Sequence, residues 1–270
     1  MSVTNLAKRR GEILDEIMAH HRENLPKVMA DVPFADLRAM AGVSPPPRDF
    51  EAAVRASGVS LIAECKKASP SRGLLVHNYD PVRLARLYEK AGARAISVLT
   101  DARHFQGTLA HLRDVREAVR VPVLRKDFLF HPYQLYEARV AGADAVLLIA
   151  AVLSDTEMRE LLALARKLGM AALVEIHDEA ELARVLPLQP TLIGVNNRNL
   201  QTFEVDFGNT ARLRALIPPE IAVVGESGLK SPDDVRAMKT AGVDAVLVGE
   251  TLVRSKDVAG TARAFVAAGR

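Results

Sequence analysis

Glu64 and Lys66 are the first residues along the chain whose types and spacing suggest chemistry. They end the apolar run Val59–Lys66, and a spacing of two places both side chains on one face of an extended strand. A carboxylate and an ammonium at a strand end are unfavourable unless partners or a ligand satisfy them. Ser69-Pro70-Ser71 then breaks the strand and begins a loop. This pattern predicts a buried strand that presents a charged pair at its end.

Further apolar runs also end in polar groups. The eight runs are Val59–Lys66, Ala95–Thr100, Val121–Lys126, Ala145–Ala150, Ala171–Ile176, Leu192–Asn196, Ala222–Glu226 and Ala245–Gly249. The polar residues at or just after their ends are Glu64, Lys66, Thr100, Asp101, Arg125, Lys126, Asp127, Glu175, Asn196, Asn197, Arg198, Glu226 and Ser227. Any one of them could be a satisfied ion pair or a cap. Six strands ending this way together favour a functional site.

Amphipathic helical segments such as Pro81–Lys90 and Thr156–Lys167 lie between the runs. The repeated Ala-Gly motifs, as at Ala141-Gly142, end a helix with a glycine and open the next buried strand. Eight alternating units predict an α/β fold, a closed (β/α)₈ TIM barrel with its site at the C-terminal strand ends. An open doubly wound sheet is the alternative, but that fold typically contains a GxGxxG turn, which the sequence lacks.

Residues 1–57 precede the barrel core of residues 58–270, and we expect one domain over residues 1–270. Helical spacing predicts a helix from about Thr4 to His21, a short helix after Val32-Pro33, and a helical turn over Asp49–Ala56. This helical N-terminal extension could simply cover one end of the barrel, or it could also contribute to a substrate lid.

Glycines follow the last two strands, in Gly225-Glu226-Ser227-Gly228 and Gly249-Glu250. Exposed backbone N–H groups there, next to a helix N-terminus, predict a phosphate cradle, although glycines also simply permit tight turns. Because a carboxylate repels a dianion, we expect the Glu250 side chain to point away from it.

Composition narrows the function further. With no tryptophan and 4% aromatic residues, the chain lacks the stacking platforms of a single-strand nucleic-acid binder. The net charge of +3 is dispersed and favours an anionic small-molecule substrate. No apolar run is long enough to span a membrane. We also expect the protein to be a monomer. The only cysteine, Cys65, fits a reducing cytoplasm and should face the surrounding helices, out of phase with Glu64 and Lys66.

No metal is expected, because Glu175 and His177 share a strand face without a third ligand at suitable spacing. Lys66 or Lys126 could form a Schiff base with a ketone or act as a general acid. Two neighbouring lysines are expected to lower each other's pKa, which would help either role.

Together these motifs resemble the indole-3-glycerol phosphate synthase family. The segments that carry the resemblance are Ile62–Ser71, Ser97–Asp101 with Phe105-Gln106-Gly107, Val123–Phe128, Leu173–His177, Ile193–Leu200 and Gly225–Gly228. They fall in order along essentially the whole chain. Ala68 and Asn199 depart from the residues common in the family, and neither occupies a catalytic position.

The resemblance implies a carboxy-lyase of tryptophan biosynthesis that acts on 1-(2-carboxyphenylamino)-1-deoxyribulose 5-phosphate without a cofactor. It implies that Lys126 is the general acid, that Lys66 holds the substrate carboxylate, and that Glu175 performs acid–base work with Glu64 across the mouth. Asn196 would bind the substrate hydroxyls. Substrate-binding residues by the same resemblance are Ser69, Phe105, Phe128, Arg198, Leu200, Glu226, Ser227, Gly228, Gly249 and Glu250. Which lysine protonates the carbonyl does not follow from the sequence.

Two other classes stay open on the residues alone. One is another phosphosugar barrel enzyme, such as phosphoribosylanthranilate isomerase or a Schiff-base aldolase. The other is a barrel that binds a phosphosugar without catalysis. Trapping with borohydride and an indole absorbance assay would separate these from ring closure.

Overall fold

A computed structural model gives the structure of the protein and describes residues 3–70, 72–199 and 204–270. Within those residues, eight parallel strands pair side by side into a closed barrel. The strands are β1 (Ser60–Cys65), β2 (Ala95–Leu99), β3 (Val123–Lys126), β4 (Ala145–Ile149), β5 (Ala171–Ile176), β6 (Leu192–Asn196), β7 (Ala222–Glu226) and β8 (Ala245–Val248). Because β1 pairs with both β2 and β8, the sheet has no edge, which confirms the predicted (β/α)₈ barrel.

Helices surround the barrel and precede it. They are α1 (Val3–Asp31), α2 (Phe34–Val43), α3 (Phe50–Val54), α4 (Pro81–Ala91), α5 (Ala102–Phe105), α6 (Leu109–Ala118), α7 (Pro132–Val140), α8 (Asp155–Lys167), α9 (Glu179–Val185), α10 (Gly208–Arg214), α11 (Pro232–Thr240), α12 (Glu250–Val253) and α13 (Val258–Gly269). Several begin on a side-chain cap that the sequence shows, such as Ser231 before α11 and Ser154 before α8. A 3₁₀ turn covers Leu186–Leu188, and Ala68–Ser69 pairs with Gly73–Leu74 in a short antiparallel ribbon.

The Ala-Gly repeats at Ala91-Gly92, Ala141-Gly142 and Ala241-Gly242 each join a helix to the strand that follows it. Gly142 and Gly242 follow their helices at φ +88° and +77°, the left-handed conformation expected of them. The aspartate two residues after each of these two glycines adds a hydrogen bond to the preceding strand. Asp144 accepts a hydrogen bond from the backbone N–H of Val123 at 2.8 Å, and Asp244 accepts one from Val223 at 2.8 Å. Each of these two repeats therefore links the start of one strand to the start of the preceding one.

Strand side chains alternate between two apolar layers. Ile62 points into the barrel, whereas Leu61, Ala63 and Cys65 pack outward against the helices. Cys65 is fully buried and its Sγ lies 3.7 Å from the Pro81 carbonyl oxygen. Burial raises its pKa well above the usual range. The prediction that this thiol faces the helices is confirmed, and its protonated, inaccessible sulfur is unreactive.

The N-terminal extension reaches both ends of the barrel. Phe50 and Val54 of α3 are buried with the interior residues and cover the N-terminal end. At the other end, the helix α1 lies over the mouth. The Tyr133 hydroxyl donates hydrogen bonds to the carbonyls of Val28 and Val32, which connects the end of α1 to α7. The extension thus does more than cover one end.

Helix α1 continues ten residues beyond its predicted end at His21 and ends at Asp31. Pro26 lies inside it and lacks an N–H donor, which weakens the local sequence signal. The contact with Tyr133, which is distant in sequence, supports this last part. Predicted strand bounds differ from the observed ones by two residues at most. No helix in the described ranges is both long and apolar enough to cross a membrane.

Candidate active site

The strand ends meet around two adjoining cavities at the C-terminal mouth of the barrel. Predicted site residues that line one or both are Glu64, Lys66, Ser69, Phe105, Lys126, Phe128, Glu175, Asn196, Arg198, Glu226, Ser227, Gly228, Gly249 and Glu250. Leu200 lies outside the described residues. Residues far apart in sequence are therefore brought together here, as the positions at the strand ends require.

Lys126 lies at the centre of this group. Its Nζ is 3.3 Å from Oε2 of Glu175 and 3.6 Å from Oε2 of Glu226. Burial disfavours its charged form, but Glu175, Glu226 and Glu64 outweigh burial and raise the pKa of Lys126 above its usual value. The expectation that the two lysines lower each other's pKa is therefore wrong for Lys126, because it faces carboxylates more closely than it faces another cation.

Glu175 is the ionised partner of this lysine. Its carboxylate accepts hydrogen bonds from Lys126 Nζ and, at 3.1 Å, from Asn196 Nδ2. Burial alone would raise the pKa of Glu175, but the charge of Lys126 and these hydrogen bonds lower it. A fixed, ionised carboxylate in a buried mouth can accept a proton from a bound substrate.

Glu226 has the opposite environment although it lies beside the same lysine. It is buried, and its Oε1 accepts no hydrogen bond from the described residues. Burial and the charge of Glu175 raise the pKa of Glu226 to about 8, with Lys126 opposing them. This environment favours the protonated form of the Glu226 carboxyl group, which can donate a proton. A Cβ at Gly194 would collide with Oε1 of Glu226, so only glycine leaves room for this side chain.

Glu64 and Lys66 form the charged pair expected of β1. Lys66 Nζ lies 3.2 Å from Oε2 of Glu64, and it also stands 5.4 Å from the centre of the Phe105 ring. A Cβ at Gly249 would collide with the Glu64 carboxylate. Gly249 thus has a steric role besides the exposed backbone predicted for it.

An apolar slot adjoins these charges. The rings of Phe105 and Phe128 lie 6.3 Å apart, and Ile13, Leu14 and Ile17 of α1 line the same cavity. The lid alternative for the N-terminal extension is therefore supported, since α1 forms one wall of the cavity. The sequence analysis did not name these three residues, although their helical spacing marks an apolar face that needs a partner.

The second cavity is rich in cations. Besides Lys66, Lys126 and Arg198, it is lined by Arg72, Lys230 and Arg254, which the sequence analysis missed. Only their place in the sequence could have assigned these three residues to the site, because they follow β1, β7 and β8. Glu250 lines both cavities, and its Oε1 lies 3.0 Å from Arg254 and 3.5 Å from Arg72. That the Glu250 side chain points away from a bound phosphate stays a prediction.

Backbone and hydroxyl groups complete the two cavities. Ser227 and Gly228 have φ of +63° and +85°, and the first is unusual for a residue with a side chain. Such strain is typical of functional sites. The buried hydroxyl of Ser69 has no hydrogen-bond partner in the described part of the chain, which leaves it available to a ligand.

Two carboxylates near the strand ends, those of Asp101 and Asp127, are held by hydrogen bonds from neighbouring residues. Asp101 accepts hydrogen bonds from His21 Nε2 at 2.8 Å and from the backbone of His104. Asp127 Oδ2 accepts hydrogen bonds from Arg125 at 3.1 Å and from Thr100. Three ligand-type atoms of His21, Asp101 and Asp127 lie close enough to hold a metal ion. All four carboxylate oxygens already accept hydrogen bonds, so these residues form a satisfied ion-pair network.

Comparison with known proteins adds to this geometry. The family model described as indole-3-glycerol phosphate synthase matches residues 14–265. Curated relatives described as indole-3-glycerol phosphate synthase include those of Roseiflexus castenholzii and Rhodopirellula baltica. The first is 49% identical over 93% of this chain and 97% of the relative, and the second is 48% identical over 94% and 99%.

Solved structures support the fold alone. The 3-hexulose-6-phosphate synthase of Salmonella typhimurium matches with a TM-score of 0.64 at 14% identity, over 78% of this chain and 98% of its own. Thiamine phosphate pyrophosphorylase from Pyrococcus furiosus matches with a TM-score of 0.59 at 14% identity, over 78% and 95%.

Proposed function

The chain belongs to the indole-3-glycerol phosphate synthase family, and we propose how the mouth of its barrel performs that family's reaction. The reaction closes the ring of 1-(2-carboxyphenylamino)-1-deoxyribulose 5-phosphate to give indole-3-glycerol phosphate, carbon dioxide and water. The observation that carries the proposal is the placement of Lys126 Nζ 3.3 Å from the carboxylate of Glu175 and 3.6 Å from that of Glu226.

Lys126 is the general acid of the first step. The ring carbon that bears the carboxylate attacks the ketose carbonyl, and the carbonyl oxygen takes a proton from Lys126 Nζ. Carbon dioxide then leaves, and its bonding electron pair returns to the ring. The raised pKa of Lys126 supports this role, because an ammonium group delivers a proton whereas a Schiff base requires the neutral amine.

Glu175 and Glu226 divide the second step. The hydroxyl formed by ring closure leaves as water after it accepts a proton, and a proton is lost from the adjacent carbon to complete the indole. Glu175, whose lowered pKa favours the ionised form, accepts that proton, and Glu226, whose raised pKa favours the protonated form, transfers its proton to the departing oxygen. Overall, one proton is taken up as the substrate carboxylate becomes carbon dioxide.

The remaining site residues bind the substrate. The anthranilate ring occupies the apolar slot that Phe105 and Phe128 line, with its carboxylate on Lys66 and with Glu64 fixing that lysine. Asn196 and Ser69 bind hydroxyl groups. The phosphate occupies the cationic cavity, near Arg198 and the backbone of the groups that follow β7 and β8. These are Ser227, Gly228, Gly249 and Glu250, and Leu200 stays proposed from the resemblance alone.

Turnover with the purified chain tests the proposal. We expect an indole absorbance to appear when the wild-type protein meets the substrate, and Lys126→Ala to lower the rate on the order of a hundredfold or more. Substrate binding without indole absorbance would instead support a non-catalytic phosphosugar barrel. Near-normal turnover by Lys126→Ala would refute the assigned role. Circular dichroism of the variant would show that the fold is intact.

Three further expectations remain proposals. We propose that residues 1–57 and the barrel core of residues 58–270 form one domain, and that the protein is a cytoplasmic monomer without nucleic-acid or membrane partners. The extension supports the first, because α1 and α3 contribute to both ends of the barrel. Sedimentation equilibrium of the full chain would test the oligomeric state.

A further inference from the structure

His177 stands behind the proposed base and is not used by the proposed mechanism. Its Nε2 lies 3.5 Å from Oε1 of Glu175, the same oxygen that accepts the hydrogen bond from Asn196. It is absent from both cavities at the barrel mouth and lines a separate one beyond them, between the ends of β5 and β6. His177 therefore contacts one carboxylate oxygen of Glu175 while Lys126 contacts the other, and it does not line the two cavities proposed for the substrate.

The orientation of this ring is fixed by Glu181. His177 Nδ1 lies 3.1 Å from Oε2 of Glu181, and the backbone N–H of His177 donates to the same oxygen at 2.8 Å. Glu181 is itself held at the first turn of α9, where its N–H donates to Asp178. With Nδ1 occupied, the ring can only present Nε2 to Glu175. That nitrogen is buried and has no hydrogen bond within geometric limits among the described residues.

Negative groups surround this imidazole on several elements. Glu181 of α9 and Glu175 of β5 favour its protonated form, and Glu226 of β7 adds to this only when it is ionised. Burial opposes the charge, but the carboxylates outweigh burial and raise the pKa of His177. Asp178, Asp206 and Arg212 line the outer side of the same cavity. The charges thus alternate along a row from Glu181 through His177 and Glu175 to Lys126.

We propose that His177, held by Glu181, is a positioning residue that supplies a fixed positive charge to Glu175. This inference rests on the proposed function of Glu175 as the proton acceptor. When Lys126 gives its proton to the substrate, Glu175 loses the positive charge of its nearest partner. His177 then keeps Glu175 ionised, so that the carboxylate remains able to accept the later proton. It also holds Oε1 against rotation while Asn196 binds substrate.

The variants His177→Gln and Glu181→Gln separate this role from a structural one. Glutamine removes the imidazolium charge, while the backbone N–H of residue 177 can still bond to Glu181. Loss of a positive charge this close raises the pKa of a carboxylate by about one to three units. We therefore expect the acidic limb of the kcat profile to move to higher pH by about one unit in His177→Gln. Glu181→Gln should move it in the same direction by less.

The accompanying changes follow from the same geometry. Because His177 does not line the substrate cavities, KM should stay within about twofold of the wild-type value while kcat falls by up to about tenfold on the acidic limb of the profile. Raising the pH should restore most of the lost rate. His111→Gln is the matched control, since His111 contacts Tyr79 away from the site and should leave the profile unchanged.

Nuclear magnetic resonance supplies a readout that does not depend on turnover. The ring nitrogens of His177 in the full-length protein should titrate above the ordinary value of 6.5, and Glu181→Gln should lower that pKa. An unchanged pH profile in His177→Gln, with or without a lower melting temperature, would overturn the inference. So would a neutral His177 imidazole at pH 6. If Glu175→Gln itself retained turnover, the proposed function would fail instead, whatever the result for His177.

Discussion

His21 connects the N-terminal helix to the barrel through an ion pair whose strength should depend on pH. Its Nε2 lies 2.8 Å from Oδ2 of Asp101 and 3.7 Å from Oδ1 of Asp127, and the Asp101 side chain is almost completely buried. Replacing His21 by glutamine keeps a hydrogen-bond donor but removes the charge. We predict that His21→Gln destabilises the protein in acid to neutral solution and much less in alkaline solution.

The size of this destabilisation can be worked out from the pKa of Asp101. Burial alone would raise the pKa of Asp101, but hydrogen bonds from His21 and His104 lower it from 3.8 to about 2. At about 1.36 kcal/mol for each pKa unit, that net fall corresponds to about 2 kcal/mol, the amount by which the partners of Asp101 outweigh its burial. His104 supplies part of this through its backbone and ring. The charge of His21 therefore contributes about 1 kcal/mol.

The direction in which stability changes with pH follows from the pKa values of His21 and Asp101. The pKa of His21 is raised: burial lowers it, but Asp101 and Asp127 outweigh burial. Its contribution is thus complete below the unfolded value of 6.5 and is lost as the pH rises through the higher folded value. The contribution of Asp101 is present above 3.8 and is lost as the pH falls through about 2. The pair should be strongest between those two unfolded values.

Urea unfolding at about pH 5.5 and about pH 9 measures this difference. We expect His21→Gln to lower the free energy of unfolding by about 1 kcal/mol at the lower pH and by only a few tenths at the higher one. His20→Gln is the matched control, because His20 is one residue away on α1 and is half-buried, whereas the ion pairs with Asp101 and Asp127 are made by His21. Equal losses at both pH values, or an equal loss in His20→Gln, would refute the reasoning.

Four other outcomes are expected. Glu175→Gln should lower kcat on the order of a hundredfold with the fold intact, as measured by indole absorbance and circular dichroism. Gly194→Ala should displace the Glu226 carboxyl group and lower kcat at least about tenfold, whereas a normal rate would show that this position is not needed. Arg254→Ala should raise KM about tenfold and weaken inhibition by inorganic phosphate, with kcat nearly unchanged. Cys65 should react with a thiol reagent only after denaturant is added, because its side chain is fully buried.

The barrel could be predicted from the sequence because each unit repeats the same local signals. An apolar run, a capped amphipathic helix and a glycine such as Gly142 each report a local preference, and eight repetitions leave few alternative topologies. The predicted site residues were found for a related reason. Strand ends share one face of a barrel, so Glu64, Lys126 and Glu175 had to meet once the strands were correct.

The features that were missed depend on contacts that local patterns do not record. The end of α1 near Asp31 is supported by Tyr133, which is far away in the sequence. Arg72 and Arg254 line the cationic cavity from a loop and a short helix, where composition gives no periodic signal. The pKa direction of Lys126 was wrong because charge spacing in the mouth is set by which strands are neighbours. Only the distances to Glu175 and Glu226 show that carboxylates dominate.

Borohydride treatment during turnover tests the central claim most directly, namely that Lys126 gives a proton to the substrate and forms no bond to it. Intact-protein mass spectrometry of the wild-type chain, quenched while indole is being formed, should show the unmodified mass. The enzyme should also lose no activity beyond that of a control without substrate. A mass increase equal to the reduced substrate adduct, mapped to Lys126 or Lys66, would contradict the account.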